Sequence, residues 1–486
     1  MPLDLSAAEQ AVRRSLEQAK RQADRARREL ASVLLDYYHN DMADDSTDVL
    51  GNVFAHPEEK LFVAVNPIRK MVQTKAQMFQ EDPEVMISTD GEEPNDPDQE
   101  LWDHIVERGQ WYDGLRDADA MVKLLGTVHL YPRPLDEDGY LDLAIVTPDV
   151  TQVVQRPDAP HRAAAILYKA FHRVETVVTA GREEWVVWYP DWHFTVDEDG
   201  GYIKAPGRKD TENPYKLIPL LKLDDRRPKA NHYFGTGALD MLTVNRAVNA
   251  MLVALAHGEI NSGWVQMLLR NVPKELAKKM GPDSPFVVEG QKEGDIPAGM
   301  EGLHLASDLD KMRGAIQFLI EQAVLLNNVP PQEFRTDAPT ESGFAKMVQR
   351  LPLLEERKRD VPKWRRNMKG LFRIVKAVWN YEITRPEFEV DPAFKRPFSD
   401  KSELLVDFID PVFPESELEK LERYDKAIDM GLLSRVDAMI RVNPDLDEDA
   451  AKAKLLDIAY ENQKFKGANL LAELDLLPDR PTLTEQ

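Results

Sequence analysis

Phe234-Gly235-Thr236-Gly237-Ala238-Leu239-Asp240 runs through Met241-Leu242-Thr243 into Val244-Asn245-Arg246-Ala247-Val248-Asn249. The glycines mark a turn. Beyond them, across 236–262, apolar residues return at helical spacing, with Leu239, Leu242, Val248, Met251, Leu252 and Leu255 on one stripe. A mixed insert follows at 263–308: an apolar 264–269, a short helix near 273–280, a strand at 286–288, and a Gly/Pro-spaced stretch. A second amphipathic helix is predicted over 308–326. Asp308 is its N-cap, and Leu309, Met312, Ile316, Leu319, Ile320, Ala323 and Leu326 form its face. Two helices framing a small insert can stand antiparallel with the insert at their far end. Such a pair is too thin to bury its stripe alone. The pattern therefore predicts an oligomer, most simply a cyclic one.

Upstream, residues 7–35 read as one helix without Gly or Pro. Within it Arg13, Arg14, Lys20, Arg21, Arg25, Arg27 and Arg28 stand against Glu17 and Asp24. This basic arm is either solvated or grips nucleic acid or an acidic neighbour. Residues 36–103 turn acidic, with 17 acids against 4 bases. They contain an apolar helix at 61–79, a short strand at 84–88 and a polar loop at 91–98. A helix over 100–125 points Trp102, Ile105, Val106, Trp111, Leu115 and Met121 to a core. The period then becomes two, with strands expected at 127–131, 141–145, 152–155, 164–172, 184–189 and 192–196. Asp136-Glu137-Asp138-Gly139 and Asp197-Glu198-Asp199-Gly200, between apolar alternations, read as hairpin turns by composition; each resembles the start of a calcium loop, but neither is followed by the Glu at the twelfth position that such a loop needs.

Downstream, 327–342 is a loop with Pro330, Pro331 and Pro339. A long helix over 344–379, broken or kinked at Pro352 and Pro362, follows it. This helix is the basic counterweight of the chain, with a local net charge of +8. Its buried stripe is Trp364, Met368, Leu371, Phe372, Val375 and Trp379. Extended segments are expected at 388–392 and 404–408. A helical unit follows at 415–430, 434–442 and 446–462, and the tail from 464 is loose.

The 486 residues suggest about three domains. Composition (43% apolar, 30% charged) is that of a globular chain. A formal charge of −23 argues against a protein that coats phosphates or an anionic membrane. The absence of cysteine removes disulfides, thiolate zinc sites and thiol nucleophiles. The start carries no apolar signal-peptide core, and no apolar run approaches the ~20 residues that span a bilayer. P-loop, H-E-x-x-H, G-x-S-x-G and dinucleotide-binding signatures are all missing. The scattered histidines have no partners at ligand spacing. The reading is therefore of a non-enzyme with no cofactor and no metal.

Five stretches carry a family resemblance, in order along the chain: Asn66-Pro67-Ile68-Arg69-Lys70; the 234–249 stretch quoted above; Ser342-Gly343-Phe344-Ala345 with Leu351-Pro352-Leu353; Phe408-Ile409-Asp410-Pro411-Val412-Phe413-Pro414; and Gly431-Leu432-Leu433-Ser434-Arg435 with Asn443-Pro444-Asp445. The chain resembles the portal proteins of tailed bacteriophages, of the long-tailed type. The resemblance implies an α+β, mainly helical portal fold. Its parts would be an N-terminal basic helical arm (1–35), a wing (36–235), a first stem helix (236–262), a clip (263–308), a second stem helix (309–329), a tunnel loop (330–342), a tunnel helix with wing completion (343–414), a crown (415–466) and a tail (467–486). It also implies a homo-oligomeric ring, twelve subunits in the family, at one capsid vertex of a virion assembled in the host cytoplasm. Double-stranded DNA would pass through the ring in packaging and ejection. The other partners implied are the terminase large subunit, head-completion or adaptor proteins, and capsid and scaffolding proteins, with no membrane.

The residues implied to line the channel are Asn328, Pro330, Gln332, Glu333, Arg335, Asp337, Thr340 and Glu341. One base against three acids there suits a wall that lets DNA slide, because every fixed cation on a phosphate adds counterion-release affinity. Lys274, Lys278 and Lys279 in the clip would meet the terminase, an adaptor, DNA or merely solvent. Lys346, Arg350, Lys363, Arg365 and Arg366 would contact either DNA or, as the favoured reading, the acidic surface of the next subunit. Two other readings remain: a virion scaffold protein without a pore, and a carboxylate–metal DNA nuclease using Asp407 and Asp410.

Overall fold

A computed structural model describes residues 5–53, 63–89, 93–136, 138–170, 184–203, 211–262, 266–270, 286–288, 299–303, 309–334, 343–409, 417–431, 433–443, 447 and 450–458. The protein is α+β and mainly helical, and its sheets are small and almost wholly antiparallel. The chain divides into two units, Met1–Pro339 with Gln349–Asp410, and Thr340–Val348 with Pro411–Gln486.

In the larger unit, α1 (Leu5–Ala19) and α2 (Gln22–His39) replace the single helix expected over 7–35. The chain breaks at Lys20-Arg21 because its two halves serve different cores. Ala8, Val12 and Leu16 of α1 pack with Ala165, Leu167, Trp185, Val187, Tyr189, Phe194 and Val196. Ala31, Leu34 and Tyr37 of α2 join the main core. Several cations of this segment bond within the chain. Arg13 Nε donates to Gly200 O (3.1 Å), Lys20 pairs with Asp199 (2.8 Å), and Arg27 donates to Pro148 O (2.6 Å) and lies 4.0 Å over the Phe234 ring. The segment is thus packed along its apolar side rather than extended as a free arm.

Then come α3 (Ala43–Val53), which the sequence pattern did not announce, and α4 (Pro67–Lys75), with Pro in its first turn where no backbone donor is needed. Strand β1 (Glu84–Thr89) pairs with β2 (Glu93–Pro94). The helix expected over 100–125 is two helices, α5 (Asp96–Arg108) and α6 (Trp111–Leu125), separated at Gly109-Gln110, where Gln110 adopts a left-handed φ of 50°. All six core residues expected on that segment are buried.

The strands β3 (Thr127–Leu135) and β4 (Tyr140–Val146) form a hairpin. The strands β5 (Thr151–Arg156), β6 (Ala159–Lys169), β7 (Glu184–Trp188), β8 (His193–Asp197) and β9 (Tyr202–Ile203) form an antiparallel meander. β10 (Leu221–Asp224) returns to pair with β3. Gly139 and Gly200 sit at positive φ in the two hairpin turns.

Next are α7 (Leu239–Ser262), a three-stranded sheet and α8 (Leu309–Leu326). In the sheet β11 (Gln266–Arg270) pairs parallel with β12 (Phe286–Val288) and antiparallel with β13 (Gly299–Leu303). Arg313 near the start of α8 pairs with Glu259 near the end of α7. Asn327, just past α8, donates to Asp240 at the start of α7 (3.2 Å). The two helices are therefore antiparallel. Asp308 and the expected helix at 273–280 lie outside the described residues.

One expectation about α7 is corrected. Leu239–Glu259, with mean hydropathy 1.3, is long and apolar enough by length and composition to cross a membrane, and 33% of it is buried. The Asn245-Arg246 step looks like an interruption in sequence but barely lowers the average. Here Arg246 is paired with Asp45 of α3, and Asn245 and Asn249 bond to the backbone of Val65.

The helix α9 (Gly343–Glu382) runs through both Pro352 and Pro362. Each proline removes one ladder donor. Tertiary packing sustains the helix: Trp364, Met368, Leu371, Phe372, Val375 and Trp379 are all buried, as the stripe predicts. Trp364 stands edge-on to Phe79 (4.8 Å), Phe372 to Trp102 (5.5 Å) and Trp379 to Phe388 (5.7 Å). The extended segment expected at 388–392 is turn and coil, without a strand. Its apolar residue Phe388 is buried as an anchor beneath Trp379, so the pattern reflected burial rather than pairing. β14 (Ser402–Asp407) pairs antiparallel with β1 along the full length of both strands, Glu84 opposite Asp407 through Thr89 opposite Ser402.

In the smaller unit, α10 (Glu417–Asp429) is followed by α11 (Arg435–Val442) and helical residues at 450–458. Ser434 and Asp437 form a reciprocal capping box that starts α11.

Candidate functional site

The Pro-rich turn after α8 is built by satisfying the helix end. Asn327 Nδ2 donates to Ala323 O (2.9 Å), and Asn328 adopts a left-handed φ of 59°. The Val329 amide then donates back to Val324 O (3.0 Å). Pro330 is buried, and 331–334 close into one 3-10 turn with Gln332 and Glu333 half-buried. The Glu333 carboxylate meets Lys70 of α4 (3.4 Å) and Arg350 of α9 (2.7 Å). The one acid expected on the described part of this segment is thus neutralised within its own chain. Phe334 and Pro331 border a groove of about 440 Å³ with Leu252, Leu255, Ile316 and Ile320 and with the polar Arg313, Gln317 and Glu321. Arg335, Asp337, Thr340 and Glu341 lie outside the described residues, as do Lys274, Lys278 and Lys279. The same holds for the side chain of Lys346.

The basic face of α9 is partly committed. Arg350 holds Glu333, Lys363 holds Asp360 (2.8 Å) and the Asp225 carbonyl, and Arg365 pairs with Asp407. Arg366 is exposed and has no partner among the described residues. The Asp407 of the nuclease reading is therefore bound to a cation of its own chain, and Asp410 lies outside the described residues.

Beneath this face lies a feature the sequence reading missed. Lys123 Nζ, on α6, stands 2.6 Å from Asp360, 3.3 Å from Glu356 and 2.9 Å from Asp225. Lys75 of α4 reaches the same Glu356 oxygen at 3.6 Å. The carboxylates of Asp225, Glu356 and Asp360 are close enough together to ligate a metal ion. The Lys123 ammonium already supplies the cation among them, so the donor set does not fit a metal. Burial drives the Lys123 pKa down, but the three carboxylates outweigh it and hold the pKa above the usual lysine range. Burial raises Asp360, yet Lys123 and Lys363 overcome that and keep its carboxyl below the usual range.

Asp119, one turn before Lys123, is fully buried and pushed up to about 6, mainly by burial and against the pull of Lys123. It accepts from the Met78 amide (3.1 Å) and Trp364 Nε1 (3.3 Å). A signal was available: Asp119 and Lys123 stand four apart in an otherwise apolar turn, and Glu356 and Asp360 repeat that spacing on α9.

A second cavity, of about 280 Å³, opens beside this network and is lined by 225–229 and the 234–238 loop. The loop fits because three glycines meet. A Cβ on Gly126 (φ +77°) would lie 2.6 Å from Gly237 N, and one on Gly235 would lie 2.9 Å from Gly126 O. The Gly235 amide donates to Thr127 Oγ1 (2.8 Å) and the Ala238 amide to Leu124 O (2.8 Å).

No protein-family model matches the chain, and no curated protein matches it in sequence. Among solved structures, it is similar to a chain in the neck of an empty GTA particle computed with C6 symmetry. The identity is 14%, over 77% of this chain and 89% of that one, with a TM-score of 0.40. A chain in the neck of a native GTA particle computed with C12 symmetry shares 14% identity, over 78% and 90%, at 0.39. One in the virion of a native gene transfer agent particle shares 13%, over 77% and 87%, at 0.33.

Proposed function

We propose that this chain is the subunit of a ring-shaped portal, through which DNA is packaged into and leaves a phage-type capsid. The observation that carries the reading is the α7–α8 hairpin. Two antiparallel helices bracket a small three-stranded sheet, and the pair leaves Leu239, Phe318, Leu325 and Leu326 exposed (46, 59, 53 and 76%). A pair this apolar is stable in water when copies of the chain cover it. In the portal reading α7 and α8 are the stem, the β11–β13 sheet belongs to the clip that receives the terminase and later an adaptor, and the turn after Asn328 leads into the tunnel loop. The unit containing α10 and α11 is the crown.

The charge distribution supports passage rather than capture of DNA. Glu333, Asp360 and Asp407 each hold cations of the basic helix within the chain. That leaves fewer free cations to fix phosphates, and so less counterion-release affinity. Negative-stain microscopy of the purified protein tests the reading. Closed rings with a central hole, at a multiple of 55.4 kDa, are expected. Open or poreless assemblies point to the scaffold reading instead.

A further inference from the structure

The cavity beside the buried network has a neutral floor and a cationic rim. On the floor stand Lys75, Lys123 and Asp225, whose charges are balanced behind it by Glu356, Asp360 and Lys363 through the contacts described above. The rim is Arg226-Arg227-Pro228-Lys229, facing the 234–238 loop. Arg226 approaches Asp225 only at 3.7 Å with its side chain 79% exposed. Arg227 and Lys229 are exposed and have no ion pair among the described residues. Across the cavity, the Thr236 hydroxyl and the Thr236 and Gly237 amides have no hydrogen-bond partner among the described residues, while their neighbours Gly235 and Ala238 are fastened to 124–127. Asp240, also on the lining, is engaged by Asn327. Arg227 and Lys229, and residues with unpaired N–H and O–H donors, thus line one pocket about 280 Å³ in volume, in a chain whose net charge is −23.

We propose that this cavity binds a phosphate group. Arg227 and Lys229 supply the charge, and the Thr236–Gly237 donors supply the hydrogen bonds. Charge-assisted bonds to phosphate oxygens are the strong kind, and an Arg fork gives them direction. The volume admits a free phosphate or a single phosphodiester with its sugar, and excludes more than about one nucleotide, since drug-sized pockets begin at roughly 300 Å³. The inference concerns the single chain and stands whether or not it closes into a ring.

Two probes applied to the full chain test it: inorganic phosphate, followed by the thermal midpoint at ionic strength matched with chloride, and a short labelled DNA duplex, followed by anisotropy across a salt series. Wild type is expected to show a saturable phosphate-dependent rise in midpoint. The rise is lost in Arg227→Ser with Lys229→Ser, and kept in the charge-matched control Lys395→Ser with Lys426→Ser. If phosphate alone discriminates the variants, the site takes a small free anion. If the duplex discriminates as well, with the log–log salt slope falling by about one to two, the site takes a backbone phosphate. Equal responses of wild type and double variant to both probes overturn the proposal. Arg227→Gln with Lys229→Gln repeats the test should the serine pair lower the midpoint in chloride.

Discussion

Lys123 Nζ lies 2.6 Å from Asp360 Oδ2, across 237 positions of sequence. That contact ties α6 to α9 and places a buried ammonium where three carboxylates converge. Replacing Lys123 by Met keeps most of the volume but leaves Asp225, Glu356 and Asp360 facing one another. The expected cost is about 3–5 kcal/mol, the usual penalty for stranding buried charge. Urea unfolding of the variant reads it as a lower midpoint, and partial recovery is expected on adding Glu356→Gln and Asp360→Asn. An unchanged midpoint for Lys123→Met contradicts the role assigned to the pair.

Asp119 gives a pH signature of opposite sign to most carboxylates. Its folded pKa of about 6 exceeds the ordinary value of 3.8, so the folded state binds the proton more tightly. Its contribution to stability is full below about pH 4 and is lost as pH rises through about 6, with a total of about 3 kcal/mol. Asp360, whose pKa is lowered, acts the other way: its contribution is present above the ordinary carboxylate range and is lost in acid. The clean observable is the stability difference between wild type and Asp119→Asn from pH 4 to 7. Wild type should lose ground to the variant as pH rises, and a flat difference refutes the assignment.

Two glycines should respond in opposite directions. Gly126→Ala forces a Cβ to within 2.6 Å of Gly237 N at a φ of +77°, and the clash is with backbone. A loss of about 2 kcal/mol or more is expected from the left-handed strain and the contact together. Gly314, inside α8, has nothing within 4 Å of the added methyl. Gly314→Ala should gain about 0.5–1 kcal/mol. Thermal unfolding of the two variants side by side checks both.

The exposed face of α8 bears on assembly. Phe318 is 59% exposed, and a glutamate there costs the isolated chain little. In a ring whose contacts cover that face, the same charge is buried without a partner. Phe318→Glu should therefore sediment as a 55.4 kDa monomer with unchanged circular dichroism, while Lys311→Glu, also exposed, still assembles.

Much of this architecture was legible in the residues, and the exceptions share a cause. Periodicity located the strands of the β3–β8 region and the stripe of α9, because one face of each is buried and the other is not; of the stripe expected on α7 only Leu242 and Val248 are buried, and Leu239 is exposed. It did not separate α1 from α2 or α5 from α6, where the helix turns to serve a second core or a new direction without Pro at the break. It could not announce β10, which finds its partner β3 more than ninety residues earlier. The network around Lys123 was hidden for the same reason. Its charged residues come from four separate stretches, and only the fold brings α4, α6, α9 and the end of β10 to one point. A net charge sums the acids and bases of the basic helix, whereas their placement decides which cations stay free.

The break at Lys20-Arg21 has a consequence for biosynthesis. Among the described residues, the apolar side of α1 packs on the β5–β8 region, made much later; Ser15 Oγ reaches Val153 O across 138 residues. At about 5–20 residues per second, that helix waits on the order of ten seconds after emerging before its sheet exists. Throughout that interval Val12 and Leu16 are an uncovered stripe on the nascent chain. A helix made early is thus placed late, and until its sheet is complete the stripe is open to a chaperone that binds apolar nascent segments.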